Sequence, residues 1–128
     1  MKKGETNRMD YRNASNIYKQ NQILNATPKK LVVLLYEGAI KNLKLAELSA
    51  EEKKIEATGT ALIKAQNIIS ELMHTLDFEN GGEVAQNLSQ LYDYLLTELI
   101  KANSSKQSED IKRSRVMLEE LRDAWIEI

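Results

Sequence analysis

The chain has 128 residues, a formal net charge of −1 and 42% hydrophobic residues, enough for a single domain with one hydrophobic core. The absence of cysteine excludes disulfides and thiolate metal sites, and a single histidine, His74, argues against multi-histidine sites. One proline and five glycines leave few turn residues for a sheet protein, so the composition predicts an all-α fold and argues against an enzyme.

Residues 1–26 are mostly polar, and their scattered apolar side chains are too sparse to bury a full helix face. We expect a mobile N-terminal segment with one short helical piece there, and a single domain over residues 27–128. The start of the chain lacks the apolar core of a signal peptide, and the longest apolar run, residues 31–36, is too short to cross a bilayer. The sequence therefore predicts a cytoplasmic protein without membrane insertion.

The first two helices have recognisable start signals. Thr27 is a good N-cap and Pro28 is tolerated at the first helical position, which predicts a helix from Pro28 to about Leu48. Ser49 and Glu52 have the capping-box spacing, so a second helix is expected to open there and to run to about residue 76. These two helices should form a tight hairpin.

The second half of the chain contains two more helices. Asn80 and two glycines favour a turn, which predicts a third helix from Glu83 to about Ala102. A polar connector follows, and Ser108 with the acids at 109 and 110 suits the start of a fourth helix, because the helix dipole favours negative charge there. Four helices with short links predict an antiparallel up-down four-helix bundle, preceded by a short, partly helical N-terminal cap segment.

Apolar residues at steps of three and four predict the core face of each later helix. The predicted core residues are Ile55, Leu62, Gln66, Ile69, Met73 and Leu76 on helix two, Val84, Leu88, Leu91, Leu95, Leu99 and Ala102 on helix three, and Ile111, Leu118, Leu121, Trp125 and Ile128 on helix four.

Further apolar residues lie beside these core stripes. They are Val32, Val33, Tyr36, Ile40 and Leu43 on helix one, Ala61, Ala65, Ile68 and Leu72 on helix two, and Tyr92, Leu96 and Ile100 on helix three. A bundle helix buries roughly three-sevenths of its positions in one core. The additional stripes therefore indicate either a wide internal face or a groove for a partner helix.

Motifs that carry chemistry are incomplete in this chain. Glu71 and His74 have the Glu-x-x-His spacing of di-metal bundles, but the chain has no second histidine for the required second copy. Gly81-Gly82 lacks the third glycine and the lysine of phosphate-binding loops. The basic clusters are short and mixed with acids, unlike a nucleic-acid footprint. We therefore expect no metal, no cofactor and no nucleic-acid partner.

Several separated motifs nevertheless occur in a specific order: Asn21-Gln22-Ile23-Leu24, Thr27-Pro28, Leu34-Leu35-Tyr36-Glu37-Gly38-Ala39-Ile40, Leu76-Asp77-Phe78-Glu79-Asn80-Gly81-Gly82-Glu83, Leu91-Tyr92-Asp93-Tyr94 and the ending from Leu118 to Trp125. From about Tyr11 to Ile128 the chain resembles the family of the flagellar secretion chaperone FliS. The resemblance implies a cytoplasmic four-helix bundle without a catalytic role. Such a protein binds the disordered C-terminal segment of flagellin, prevents premature polymerisation and presents the subunit to the flagellar export gate.

By the same resemblance, the segment around Tyr11, Ile17 and Tyr18 is expected to fold over part of the bundle and to be rearranged by flagellin. Together with the additional apolar stripes, this predicts partner contacts at Ile17, Tyr18, Gln22, Tyr36, Ile40, Ile68, Leu72, Tyr92, Leu96 and Ile100. We expect a monomer or weak dimer. The alternative function is a self-associating helical structural or adaptor protein that binds another flagellar regulator.

Overall fold

A computed structural model describes residues 28–127, which form four α-helices: α1 Pro28–Glu51, α2 Ile55–His74, α3 Phe78–Ser105 and α4 Ser108–Glu127. The links between them are two or three residues long, so successive helices run antiparallel. The all-α class and the four-helix bundle are confirmed for these residues. The predictions for residues 1–27, including the N-terminal cap segment, lie outside the described part of the chain.

The chain divides after Leu31 into two compact units. Only the first turn of α1 is described in the first unit, and all contacts discussed below lie within the second unit, from Val32 onward. The large side chains that are fully buried there come from all four helices: Tyr36, Leu43, Leu62, Ile69, Leu72, Tyr92, Leu95, Leu99, Ile111 and Leu118. Burying each large apolar side chain contributes about 1.5–3 kcal/mol to folding.

The core face of α3 includes Leu88, Leu95, Leu99 and Ala102 as predicted, but it differs from the prediction at two positions. Its buried or half-buried residues step by three and four from Ala85 through Leu88, Tyr92, Leu95 and Leu99 to Ala102. Val84 and Leu91, which the pattern assigned to the core, are 65% and 36% exposed. The prediction for Leu91 was wrong because it preferred leucine to tyrosine, whereas Tyr92 can be buried once its hydroxyl has a hydrogen-bond partner.

The core face of α2 also differs from the prediction. Ile55 is 67% exposed at the start of the helix, whereas Thr58 is buried and donates its hydroxyl to the Lys54 carbonyl at 2.8 Å. Among the residues assigned to the additional stripe, Ala61, Ala65 and Leu72 are buried. For most of the additional apolar residues of α1 and α2, the structure therefore supports the wide internal face.

The link between α1 and α2 corrects the predicted capping box. Helix α1 continues through Ser49 to Glu51, and α2 begins only at Ile55 after Lys54, whose side chain makes no capping hydrogen bond. The backbone N–H of Lys54 donates to the Ser49 carbonyl at 2.8 Å, and Lys53 adopts a left-handed φ of 60°. Ser49 therefore lies inside a helix, and the left-handed Lys53 ends it.

The start of α3 lies five residues before the predicted position. Asp77 is the N-cap, and its Oδ1 accepts the backbone N–H groups of Glu79 and Asn80, each at 3.1 Å. The predicted break is nevertheless present, because Gly82 has φ 49° and ψ −122° inside the helix. A capped helical turn therefore precedes the main part of α3, which continues to Ser105.

The link between α3 and α4 is shorter than the predicted polar connector. Lys106 has a left-handed φ of 57°, and its backbone N–H donates to the Ala102 carbonyl at 2.7 Å. Ser108 was predicted as the N-cap, but it is the first residue of α4. The Gln107 carbonyl accepts the N–H of Asp110 at 3.1 Å. Glu109 and Asp110 lie in the first turn, as predicted.

Candidate partner-binding site

Two of the predicted contact residues form a hydrogen-bonded pair inside the core. The hydroxyl oxygens of Tyr36 on α1 and Tyr92 on α3 are 2.6 Å apart, and their tilted rings have centroids 6.4 Å apart. Burial raises the pKa of both phenols, while hydrogen bonding from Trp125 on α4 acts in the opposite direction. The pair is therefore uncharged at neutral pH and connects α1 with α3 beside Trp125.

The other predicted residues fall into three groups. Ile40 and Leu72 are buried in the core like the two tyrosines, and Ile17, Tyr18 and Gln22 lie outside the described residues. The residues with accessible surface are Ile68, Leu96 and Ile100. Of the predicted contacts in residues 28–127, these three are available to a partner in this structure.

Ile68 lies against α1 at a glycine. Its Cδ1 is 3.4 Å from the point that a Cβ on Gly38 would occupy, so the absence of a side chain at Gly38 leaves room for the isoleucine tip. The amide nitrogen of Asn42 donates to the Gly38 carbonyl at 2.9 Å. Ile68 is therefore half-buried between α1 and α2, and it presents only part of its surface.

A line of half-buried residues follows the boundary between α2 and α3. Near one end the Ser89 hydroxyl donates to the Met73 sulfur at 3.4 Å, and near the other a Cβ on Gly59 would lie 3.5 Å from Asn103 Oδ1. These two contacts define the antiparallel register of α2 and α3, and this register places Gln66 opposite Leu96, midway between them. We call this the α2/α3 groove; its floor consists of half-buried residues at seven-residue steps: Gly59, Gln66, Met73, Ser89, Leu96 and Asn103.

Apolar side chains form the lips of the α2/α3 groove. Ile63 on α2 is 50% exposed and Ile100 on α3 is 62% exposed, and the register places them at nearly the same height on opposite sides. Ile100 was among the predicted contacts, but Ile63 was missed. Its signal in the sequence is the adjacent pair Leu62-Ile63, because neighbours on a helix point about 100° apart and Leu62 already lies on the predicted core face.

The boundary between α1 and α4, in contrast, is covered by an ion-pair network. The Arg115 guanidinium donates to both Glu47 and Glu119, with Nη1 3.0 Å from Glu119 Oε1. The hydrogen bond with Glu47 raises the pKa of Arg115. Lys44 joins the network, with its Nζ 3.9 Å from Glu119 Oε2. The side chains of Arg115, Glu47 and Glu119 are only 15–25% exposed. A helix cannot enter this boundary without breaking that network.

An apolar pocket of about 180 Å³ lies at the end of the bundle where α2 ends and α3 begins. Its walls include Val32, Leu76, Leu88 and the ring of Trp125, and the exposed Val84 forms part of its rim. Trp125 is the only tryptophan in the sequence, so its fluorescence reports on this end of the bundle.

The groups that line the α2/α3 groove are aliphatic, thioether, hydroxyl and amide groups, which suit non-covalent binding of an amphipathic segment. In the described part of the chain, no three metal-ligating side chains come together, and no helix is long and apolar enough to span a membrane. The fold therefore defines a small all-α helical-bundle protein with exposed apolar side chains along one helix boundary.

Comparison with known proteins identifies the family. The model of the family described as Flagellar protein FliS matches residues 11–128. The flagellar secretion chaperone FliS of Salmonella typhimurium strain LT2 is 38% identical over 110 residues, which cover 85% of this chain and 82% of the relative. The protein of that name from Bacillus subtilis strain 168 is 34% identical over 117 residues, covering 91% and 86%. The chain belongs to the FliS family.

Proposed function

We propose that this chain is a cytoplasmic flagellar export chaperone that binds the C-terminal segment of flagellin, prevents its premature polymerisation and aids its delivery to the export gate, without a catalytic role. Membership of the FliS family supports the chaperone role, since the relatives carry the name flagellar secretion chaperone. The observation that supports the location of the site is the pair of exposed isoleucines, Ile63 and Ile100, on either side of the half-buried residues of the α2/α3 groove.

The groove suits a partner that folds as it binds. A disordered segment loses conformational entropy when it becomes helical, and it must bury apolar surface to offset that loss. Ile63 and Ile100 offer such surface on both sides of one partner helix, while the Gln66 and Asn103 amides provide polar contacts on the floor. Anchors at i, i+3, i+4 and i+7 on the flagellin segment would lie along this line.

The predicted contact residues take different roles in this proposal. Leu96 and Ile100 contact flagellin directly in the groove, and Ile68 contacts it at the α1/α2 boundary. Four buried residues hold the helices that form these surfaces: Tyr36, Ile40, Leu72 and Tyr92. Residues 1–26, including Ile17, Tyr18 and Gln22, form a segment that flagellin rearranges.

Isothermal titration calorimetry with a flagellin C-terminal peptide tests the proposal. Ile63→Ala with Ile100→Ala removes both lips, and we expect binding to weaken by about 10- to 100-fold, because each truncation removes roughly 0.7–1.4 kcal/mol of apolar burial. The matched control is Leu45→Ala, which truncates a side chain that is 49% exposed on α1. Wild-type binding should show a negative heat-capacity change.

Two results would contradict the proposal. Unchanged affinity of the double variant, with correct folding by circular dichroism, would place the flagellin segment elsewhere. A dimer that ignores the peptide in size-exclusion chromatography would instead favour the self-associating adaptor function.

A further inference from the structure

The outer face of α4 carries a row of residues that is symmetric in its chemistry. At steps of four it reads Ser108, Lys112, Val116, Glu120 and Ala124. A small residue lies at each end, a basic and an acidic residue lie inside these, and an apolar residue lies at the centre. Residues at i and i+4 form a ridge on a helix surface, so we call this row the α4 ridge.

The charged residues of the α4 ridge have no partner within residues 28–127, unlike their neighbours. Arg113 pairs with Asp110, and Arg115 pairs with Glu47 and Glu119. Lys112 and Glu120 are exposed and make no ion pair or side-chain hydrogen bond with any described residue. Two unpaired opposite charges on either side of an apolar residue form a surface that is complementary to its own copy.

We propose that the α4 ridge is a docking surface for a second copy of this chain. The two α4 helices cross antiparallel about a two-fold axis at Val116, so that Lys112 of each copy faces Glu120 of the other. Val116 is 38% exposed and meets its own copy on the axis.

A neighbouring aromatic residue enlarges the apolar centre of this surface. Tyr94 on α3 is 51% exposed, and it lines one depression together with Lys112, Val116, Met117 and Glu120. An exposed tyrosine at the centre of a contact is typical of protein interfaces.

The like charges near the ends of the ridge do not oppose this arrangement. Glu109 and Asp123 lie seven positions from the axis, on opposite sides of it. When i±4 ridges pack against each other, the helices cross at about 50° and diverge away from the axis. These two carboxylates therefore remain apart in solvent, whereas the residues four positions from the axis are still close.

The α4 ridge and the α2/α3 groove lie on different sides of α3. Tyr94 and Ile100 are six positions apart, which places them about 120° apart around the helix. A second copy on the ridge therefore leaves the groove lips uncovered. The proposed dimer does not depend on the proposed binding of flagellin, and each can fail without the other.

Sedimentation equilibrium of the full chain with charge-reversed variants tests the dimer. One ridge is a small interface, so we expect a weak dimer with a Kd on the order of 0.1 mM. Lys112→Glu or Glu120→Lys alone turns both attractive pairs into repulsive ones and should weaken self-association roughly tenfold or more. The double reversal should restore it, and raising the salt concentration should weaken the wild-type dimer.

The most specific test of the proposed charge pairs mixes the two single variants. A chain with glutamate at both positions and a chain with lysine at both positions should each be monomeric, yet their equimolar mixture should form heterodimers. Lys64→Glu, a reversal of an exposed charge on α2, is the control and should leave self-association unchanged. A wild-type chain that is monomeric at about 1 mM would overturn the proposal. A dimer that neither single reversal weakens, or a mixture that does not associate, would overturn it as well.

Discussion

The buried Tyr36–Tyr92 pair predicts a specific coupling in the free energy of unfolding. The hydroxyl oxygens are 2.6 Å apart and both side chains are at most 1% exposed, so neither hydroxyl can turn to bulk water. Tyr36→Phe removes one hydroxyl and leaves the other without its tyrosine partner. Trp125 still hydrogen-bonds the remaining hydroxyl, so we expect each single variant to cost about 1–2 kcal/mol for the lost tyrosine–tyrosine hydrogen bond. That is a large fraction of the roughly 5–15 kcal/mol stability of a small domain.

The double variant, Tyr36→Phe with Tyr92→Phe, should be destabilised by less than the sum of the two single variants. Each single variant already removes the Tyr36–Tyr92 hydrogen bond, so the double variant loses that bond only once, and the two rings keep their contact. The expected coupling is about 1–2 kcal/mol. Tyr94→Phe is the matched control, because Tyr94 is two residues from Tyr92 but exposed, and it should change stability by less than about 0.5 kcal/mol.

Urea unfolding followed by far-ultraviolet circular dichroism measures these differences, and Trp125 fluorescence provides a second probe of the same transition. If the two single effects simply add in the double variant, the hydroxyls do not act as a pair. An equally large effect of Tyr94→Phe would show that loss of a hydroxyl is costly wherever it occurs on α3, and the assignment of Tyr36 and Tyr92 to the scaffold would be wrong.

Gly82→Ala should destabilise the fold by about 1–2 kcal/mol in urea unfolding, because Gly82 has φ 49° and the cost comes from the backbone; an unchanged midpoint would refute this. Gly59→Ala should stabilise α2 by about 0.5–1 kcal/mol but add a methyl group to the groove floor, weakening flagellin binding about fivefold; stronger binding would refute the site. Hydrogen bonds from the Asn80 side chain and from the backbone N–H groups of Asn80 and Glu79 lower the pKa of Asp77 from its usual value of 3.8, so its contribution to stability is present above that value and lost as the pH falls through the lowered pKa. Asp77→Asn keeps a capping side chain, and its urea midpoint should fall less at low pH than that of the wild type. An equal fall of the midpoint in both proteins would contradict this prediction. Deleting residues 1–18 should raise the affinity for the flagellin peptide in calorimetry, and no change would argue against a competing segment.

The helices themselves were predictable from the sequence, because their start signals and periodicity are local. Pro28 lies in α1 as predicted, the Thr27 cap lies outside the described residues, and the glycine at position 82 does interrupt the helix as expected. The predicted capping box at Ser49 failed because Ser49, Ala50 and Glu51 are also compatible with a continuing helix. The backbone conformation at Lys53, which local propensity does not specify, decides where α1 ends.

The candidate site was only partly predictable, because burial depends on distant partners. The choice between Leu91 and Tyr92 as a core residue depends on Tyr36, which is 56 positions away in the chain. The sequence left open whether the additional apolar stripes formed a wide internal face or a groove. The structure assigns Tyr36, Ile40, Leu72 and Tyr92 to the internal face, and it leaves Leu96 and Ile100 beside a groove.

The central claim is that flagellin binds in the α2/α3 groove, and isoleucine-methyl NMR during titration with the flagellin C-terminal peptide tests it most directly. Ile63 and Ile100 are 50% and 62% exposed, and their methyl groups should shift and show nuclear Overhauser contacts to the peptide. Ile126 on α4 is 51% exposed and serves as the internal control without such contacts. Peptide contacts at Ile126, with no change at Ile63 and Ile100, would contradict the account.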